Sequence, residues 1–434
     1  MRVNLSVAIV AMTDNTTSEN PDIPTYNWND KSVVLSAFFW GYIVLQPFAG
    51  WLGRTYGTKW FVIVAMFVNS TACIAIPFIA DKLGSKGVMG CRFLQGLSQG
   101  FFFPSVQNLL GQWAPITERS RIATAVYSGV AFGTIVTYPI TGYIAASWVG
   151  WPSTFYLFGA IGYGWSISWM IFGANSPSVH RTINEEEKIY IETSLGTTED
   201  SQTVPIPWKA IFTSLPMWAF VVAWFGQNWG YATLLTQIPI YLDKMAGFDM
   251  HSNSLLSAAP YLAQFILSFV FGHISDFMIN RSYLTRGNAR KICNTIGTCV
   301  PATALLILGF LPKDAIAWSV VMIVIAGGVN SGVFCGYQVT PIDLSPKFAG
   351  TIMSIGSTSN LFSLLAPLAV QGIVTDEIQW RIVFIIASCM YVAANIFYVL
   401  FSSGENQWWD SIGHKEIKRE DSEGSEGSDS SEGR

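Results

Sequence analysis

The chain has 434 residues with a formal net charge of −4, and only 12% of its residues are charged whereas 51% are hydrophobic. Soluble domains carry roughly 25% charged residues, so this composition excludes a soluble enzyme and a disordered protein. It also excludes a nucleic-acid-binding protein, which would need a basic surface. We therefore expect a membrane-embedded chain that has the lipid bilayer as a partner.

Eleven apolar runs are long enough to cross about 30 Å of hydrocarbon as helices. Before them, Val3 to Met12 is apolar but too short for a span. We interpret this segment as the second half of a truncated first helix, so that the intact bundle has twelve spans. The runs cover 33–53, 60–80, 88–113, 122–146, 152–173, 215–242, 255–279, 292–312, 316–338, 350–374 and 380–403.

Most Lys and Arg residues fall on one side of these runs, which the positive-inside rule assigns to the cytosol. The central loop 174–214 lies on that side and is expected to hold a short amphipathic helix around Glu185. The tail 404–434 lies there too, and its Ser, Glu and Gly repetition predicts disorder. The loop 13–32 faces the opposite side, where Asn15 begins an Asn-Thr-Thr glycosylation acceptor.

The two halves of the chain resemble each other at a nearly fixed offset. Pro139 corresponds to Pro367, and Trp151 corresponds to Trp380. Two six-helix halves related by pseudo-two-fold symmetry describe an all-α membrane protein with the major facilitator fold, which binds substrate near the midplane. The predicted divisions are the N-terminal half 1–173, the loop 174–214, the C-terminal half 215–403 and the tail 404–434.

A loop motif supports this fold and points to a gate. The segment Gly50–Lys59 resembles the superfamily pattern G-x-L-x-D-R-x-G-R-K, with Arg54 in place of the Asp. The second half keeps an acid at the corresponding position, Asp276. We expect Arg54, Asp276 and Arg121 to lock the closed cytosolic end rather than to contact substrate.

Two arginines in apolar segments need an explanation, because a charge at the bilayer centre costs about 2.5–3.5 kcal/mol on insertion scales. Arg92 shares a helix face with Gln95 and Gln99, as an anion site would require. The alternative for each arginine is a position near the membrane edge, where backbone carbonyls hold it. The alternative for each of the other polar side chains in the spans is a role in helix packing. The candidate substrate-binding residues are Arg2, Arg92, Phe39, Tyr42, Gln95, Gln99, Tyr127, Asn228, Tyr231 and Ser357.

Acidic residues are nearly absent from the spans, since Asp276 and Asp343 lie only near span ends. Proton coupling usually uses a carboxylate or a histidine within the membrane, whereas carbonyls, amides and hydroxyls can hold sodium. Sodium coupling is therefore favoured. The six cysteines and four histidines form no metal-ligand or nucleophile–base pattern, so we expect neither an enzyme nor a cofactor, apart from a co-transported sodium ion.

Five motifs are spread over nearly the whole chain: Arg2-Val-Asn-Leu-Ser, Phe38-Phe-Trp-Gly-Tyr, Trp113-Ala-Pro-x-x-Glu-Arg-Ser-Arg, Ile342-Asp-Leu-Ser-Pro and Ser403-Gly-Glu. They resemble the anion-transporter family of vesicular glutamate transporters, sialin and type I sodium–phosphate cotransporters, and most of all its insect inorganic phosphate cotransporters. The resemblance implies that Arg2 and Arg92 act in anion binding or gating. It also implies a full first helix ahead of Arg2.

This chain departs from the family at positions linked to coupling. It has Gln99 where the glutamate and sialic acid branches have a Glu, and Gln107 where they have a His. It has Leu35 and Gln227 where the glutamate branch has a His and an Arg. These departures argue against vesicular glutamate transport and against lysosomal proton–sialate export.

We therefore expect a monomeric secondary active transporter of a small anion, namely sodium-coupled inorganic phosphate or an organic anion, that works by alternating access. One alternative is a proton- or potential-driven transporter of sialate- or glutamate-like anions in vesicles or lysosomes. Another is a receptor or sensor that keeps the fold without transport. The plasma membrane is favoured over endolysosomal or vesicular membranes.

Overall fold

The computed structural model describes residues 1–13, 20–28, 30–195, 205–246, 250–312, 315–360 and 379–411, with backbone alone at 31–32, 232–246, 250–257, 379–380 and 411. The predicted glycosylation acceptor Asn15 lies outside these residues.

The N-terminal half is a bundle of helices whose longest member is bent. Gly84 has a φ of 62° and a ψ of −153°, which glycine adopts readily, and this bend divides α3 into two spans. The helices are α1 (Asn4–Ala11), α2 (Lys31–Tyr56), α3 (Thr58–Gln99), α4 (Phe102–Trp113), α5 (Arg119–Ala146) and α6 (Pro152–Phe172).

The connector and the C-terminal half are helical as well. The central loop contains a helix where a short one was predicted, α7 (Glu185–Leu195), with three glutamates in its first turn and only Ile191 buried, and α8 (Trp208–Thr213) follows it. The later helices are α9 (Leu215–Ala246), α10 (Met250–Asn280), α11 (Arg286–Phe310), α12 (Ile316–Val329), α13 (Thr340–Leu344), α14 (Ala349–Ser357) and α15 (Gln379–Phe401). Short 3-10 turns occupy Pro177–Val179, Asn330–Phe334 and Trp408–Ser411.

Among the described residues, 8 helical segments are long and apolar enough to cross a membrane. One of them, Thr58–Trp113, is 56 residues long and covers two predicted runs. Within the predicted run 316–338, the α-helix ends at Val329 and a 3-10 turn follows it. Asn330 stabilises that turn by donating a hydrogen bond of 2.9 Å from Nδ2 to the Gly297 carbonyl.

The ordered packing of the chain continues beyond the predicted tail boundary at 404. The backbone nitrogen of Gln407 donates to the Leu344 carbonyl at 2.9 Å, and the Trp409 side chain is 1% exposed beside Phe348. The prediction of a disordered tail is therefore wrong for 404–411, because Trp409 adds to the core of the C-terminal half. Residues 412–434 lie outside the described part.

The two halves meet through helices from each side. Helix α2 packs against α14, and α5 packs against α10. Within the N-terminal half, α2 and α3 approach so closely that their backbones touch. A Cβ atom added to Gly96 would lie 2.0 Å from the Phe38 carbonyl oxygen, and one added to Gly41 would lie 2.0 Å from the Phe93 carbonyl oxygen.

We predict that Gly96→Ala destabilises the protein by about 1–3 kcal/mol, because the added methyl group forces α2 away from α3. Gly90→Ala on the same helix is the control, since a Cβ atom there has nothing within 4 Å. The thermal unfolding midpoint of the detergent-purified protein measures both. Equal midpoints for the two variants would contradict the close packing.

Candidate functional site

Arg2 lies at the start of α1 and is surrounded by aromatic rings from α2. Its guanidinium carbon is 5.4 Å from the ring centre of Phe38, 5.5 Å from that of Phe39 and 5.8 Å from that of Tyr42. The side chain is exposed and makes no ion pair with any carboxylate in the described part of the chain. Arg2 therefore presents a permanent positive charge whose described neighbours are ring faces rather than carboxylates.

Tyrosines from further helices complete this environment. Tyr138 of α5, Tyr231 of α9 and Tyr261 of α10 all interact electrostatically with Arg2. Because α9 and α10 belong to the C-terminal half, the charge of Arg2 lies between the halves. We call Arg2 and these rings the aromatic cage; its rings are Phe38, Phe39, Tyr42, Tyr138, Tyr231 and Tyr261.

Arg92 is placed differently from Arg2, because its side chain is buried and only 3% exposed. Its Nη1 donates to Gln95 Oε1 at 3.0 Å, and its Nη2 donates to the Arg2 carbonyl at 3.1 Å. Its Nε has no hydrogen-bond partner within the described residues. Arg92 therefore supports the backbone that carries Arg2, from inside the N-terminal half rather than from a membrane edge.

Most of the other predicted residues lie in the aromatic cage or close to it. Phe39, Tyr42 and Tyr231 belong to the aromatic cage, and Asn228 lies near it with its amide bonded to Asn360. Gln95 lies behind the cage with Arg92. Gln99 is half-buried on the same helix, with no hydrogen bond from its side chain among the described contacts.

Two predicted residues lie away from Arg2 contacts. Ser357 is buried, and its hydroxyl donates to the Met353 carbonyl of its own helix at 2.6 Å. Tyr127 is buried between the rings of Phe103 and Phe334, at centroid distances of 6.0 Å and 6.1 Å. The structure therefore places Ser357 and Tyr127 in helix packing.

An amide network beside the cage was missed by the sequence analysis. Asn360 accepts a hydrogen bond from Trp224 Nε1 at 3.0 Å and donates to Gln46 Oε1 at 3.3 Å, so it connects the two halves. Gln46 Nε2 is buried without a partner in the described part of the chain. Gln46 follows Tyr42 by four residues and so shares its helix face, which is the signal that could have identified it.

The halves are joined by polar contacts at one end of the bundle, which we call the basic end and define by Arg54, Arg119, Arg121 and Arg290. Asp276 of α10 accepts hydrogen bonds from the backbone nitrogens of Ser120 at 3.1 Å and Arg121 at 2.8 Å. A carboxylate is stabilising at this position because the first turn of α5 exposes unpaired N–H groups. The structure thus brings together the predicted pair Asp276 and Arg121 across the halves.

A buried carboxylate lies beside this contact and joins the halves more tightly. Asp343 Oδ1 accepts from Arg119 Nη1 at 2.8 Å, and Asp343 Oδ2 accepts from Arg290 Nε at 2.7 Å. Burial favours a higher pKa for Asp343, but the charges of Arg290 and Arg119 outweigh it and hold the pKa below its usual value. The sequence analysis noted Asp343 but assigned it no partner.

Glycine contacts close the remaining gap at the basic end. The backbone nitrogen of Gly50 donates to Ser354 Oγ at 2.7 Å, and a Cβ atom at Gly50 would lie 2.0 Å from the Gly350 carbonyl oxygen. The guanidinium carbon of Arg54 lies 4.3 Å from the ring centre of Phe348. All of these contacts cross between the halves, so the basic end is closed in this structure.

We predict that Asp276→Asn weakens the closed basic end by about 1 kcal/mol, because a neutral amide stabilises the first turn of α5 less than a carboxylate does. Spin labels at the exposed positions Tyr56 and Tyr283, in a Cys389→Ser background, report the separation of the halves. Glu118→Gln is the control, since Glu118 pairs with Arg121 within one half. A longer-distance population in both variants, or in neither, would contradict the assignment.

Comparisons with known proteins agree with this architecture. The profile of the Major Facilitator Superfamily matches residues 2–367. The structure of the proton:xylose symporter XylE superimposes with a TM-score of 0.67 at 14% identity, covering 93% of both chains. A double Trp mutant of XylE superimposes with a TM-score of 0.72 at 16% identity, covering 95% of this chain and 94% of that one. At this identity the structural likeness shows the fold alone.

Sequence relatives narrow the family. A Drosophila ananassae protein named "Putative inorganic phosphate cotransporter" is 39% identical over 446 residues, covering 96% of this chain and 92% of that protein. Vesicular glutamate transporter 3 of Danio rerio is 36% identical over 426 residues, covering 94% of this chain and 71% of that protein. The chain therefore belongs to the anion-transporter family of the Major Facilitator Superfamily, as a multi-pass membrane transporter rather than an enzyme.

Proposed function

We propose that this protein is a sodium-coupled secondary transporter that moves a small anion by alternating access. The observation that carries the proposal is the charge of Arg2, which lies between the halves without a carboxylate partner among the described residues. Inorganic phosphate is the substrate suggested by the names of the insect relatives. An organic anion is the second candidate.

Electrostatics favour an anion at Arg2. Arg92 is a second positive charge that interacts with Arg2, and neither is neutralised by a described acid. A guanidinium offers a rigid fork of donors that matches phosphate and carboxylate oxygens. An anion that reaches Arg2 would therefore act as the missing counterion.

The composition of the aromatic cage supports an organic anion, the second candidate substrate. Apart from Arg2, its side chains are aromatic, so it offers one exposed guanidinium and a large apolar surface. Small-molecule sites of this kind typically hold an apolar body with ring faces and fix its orientation with few polar groups. An organic anion with an apolar body would use both features.

The polar groups near the cage support sodium rather than proton coupling. Gln46, Asn228 and Asn360 supply amide oxygens, and sodium can be held by such neutral ligands. Gln227 donates a hydrogen bond to Asn330 at 2.6 Å, and both side chains are uncharged amides.

We propose a monomer in the plasma membrane. A vesicular location is the alternative, because several relatives are named vesicular glutamate transporters.

Uptake of labelled phosphate by cells that express the chain tests this proposal. External sodium is compared with an organic cation at constant pH, and organic anions are added as competitors. Sodium-dependent uptake above that of control cells would support the proposal, and competition would support an organic substrate. Uptake driven only by a pH gradient or by membrane potential would support the vesicular alternative. No flux of any tested anion despite surface expression would favour a non-transporting receptor.

We predict that Arg2→Gln lowers anion uptake at least tenfold at unchanged surface expression, because it removes the charge in the cage. Arg2→Lys keeps the charge and should retain part of the activity. Arg281→Gln is the control, since Arg281 is exposed near Phe277 outside the cage. Equal uptake by the Arg2→Gln and Arg281→Gln variants would rule out Arg2 as the anion site.

We predict that Arg92→Lys raises the KM for the anion several-fold while keeping the positive charge. Lysine cannot donate to both Gln95 and the Arg2 carbonyl in the fork geometry of arginine, so Arg2 would be held less firmly. Initial uptake rates over a range of anion concentrations measure the KM. An unchanged KM would show that charge alone, rather than positioning, is the contribution of Arg92.

A further inference from the structure

A groove lies at the basic end, outside the aromatic cage and the contacts between the halves. It has a volume of about 470 Å³ and is bounded by Trp208, Lys209 and Thr213 of α8 and by Trp408 of the last 3-10 turn. Two segments that are distant in sequence therefore form one concave surface.

Both walls of the groove are anchored in the core of the C-terminal half. Ile211 is 0% exposed and packs in the same cluster as Leu344 and Phe348, and this cluster also contains the buried Trp409. Since Arg54 lies over Phe348, the groove is at the basic end, which the positive-inside rule assigns to the cytosol. The burial of Ile211 and Trp409 fixes α8 and the 3-10 turn and leaves Trp208 and Trp408 outward.

The outer face of the groove is apolar and continuous with the start of α9, which covers the predicted span 215–242. Trp208 is 42% exposed and Trp408 is 67% exposed, and the ring of Trp208 stacks on Phe212 at 6.2 Å. Leu215 and Trp218 at the start of α9 extend this exposed surface, and Trp218 Nε1 donates to the Phe212 carbonyl at 2.8 Å. Aromatic side chains are enriched at the boundary between headgroups and acyl chains, which is where the end of a span lies.

One charge distinguishes this surface from an ordinary aromatic belt. Lys209 is exposed at the groove and makes no ion pair with any described carboxylate. Asp410, two residues after Trp408, accepts a hydrogen bond from the Ser345 hydroxyl. The groove therefore combines an apolar wall with an available positive charge.

We propose that this groove binds an anionic phospholipid of the cytosolic leaflet. The headgroup lies at Lys209, and an acyl chain follows the ridge formed by Trp208, Phe212 and Trp218. Anionic lipids are attracted to basic residues close to the membrane surface, and aromatic side chains hold the boundary between headgroup and chain. Because the groove is built from α8 and the C-terminal 3-10 turn, the bound lipid connects the central loop to the end of the last helix.

Native mass spectrometry of the delipidated full chain, titrated with phosphatidylserine or phosphatidylcholine, tests the proposal. The wild type should retain phosphatidylserine in preference to phosphatidylcholine. Lys209→Gln should weaken phosphatidylserine binding about fivefold, the effect expected for one basic residue near an anionic surface, and should leave phosphatidylcholine unaffected. Lys209→Arg should restore the preference, and Trp408→Ala should weaken the binding of both lipids.

Lys82→Gln is the matched control, because Lys82 is also exposed beside an aromatic ring, Phe78, but lies outside the groove. An excess of inorganic phosphate is added in one arm, and displacement of the lipid by phosphate would point to a free-anion site instead. Equal retention of the two lipids by the wild type would overturn the proposal. Equal losses of phosphatidylserine binding in the Lys209→Gln and Lys82→Gln variants would also overturn the proposal.

Discussion

The buried carboxylate of Asp343 is the interaction on which the closed state depends. It receives hydrogen bonds from Arg119 of one half and Arg290 of the other, and all three side chains are nearly inaccessible to water. Removing such charges from water is unfavourable unless they are paired, so the cluster is stable only while the halves are together. If the basic end opens, water must replace at least one of these partners. Only the Arg119 contact crosses between the halves, since Asp343 and Arg290 both belong to the C-terminal half, so opening would separate Arg119 from Asp343.

Closing the basic end also determines how the aromatic cage is assembled. Arg2 and Tyr42 belong to the N-terminal half, whereas Tyr231 and Tyr261 belong to the C-terminal half. The relative position of the halves, which the Asp343 cluster fixes at one end, thus decides whether the cage is complete. In the proposed transport cycle, this dependence would link the distant ion cluster to the anion site, as alternating access requires.

The sequence allowed the features that depend on local pattern to be predicted. Span length, the position of helix α7 and the shared helix face of Arg92 and Gln95 follow from composition and spacing along one segment. The contrast between exposed Arg2 and buried Arg92 could not be predicted, because it depends on how α1 lies against α3. The partners of Asp343 and the bridge through Asn360 were missed for the same reason, since both join segments from opposite halves. The burial of Trp409 was missed because one aromatic residue in a polar tail gives no periodic signal.

Among the described residues no carboxylate pairs with Arg2, and this environment of ring faces would suit the anion site proposed above. A carboxylate partner would neutralise the guanidinium permanently and would compete with any anion. Ring faces stabilise a cation by about 0.5–2 kcal/mol, which is enough to hold the empty site together but weaker than a buried ion pair. A substrate anion can therefore replace this weaker stabilisation, and its binding energy is not lost in breaking a protein ion pair. Arg92 adds to the effect, because a second charge behind the Arg2 backbone raises the positive potential without itself being exposed. If an anion binds here as proposed, it would complete the charge balance around Arg2, and its binding would change the electrostatics between the halves.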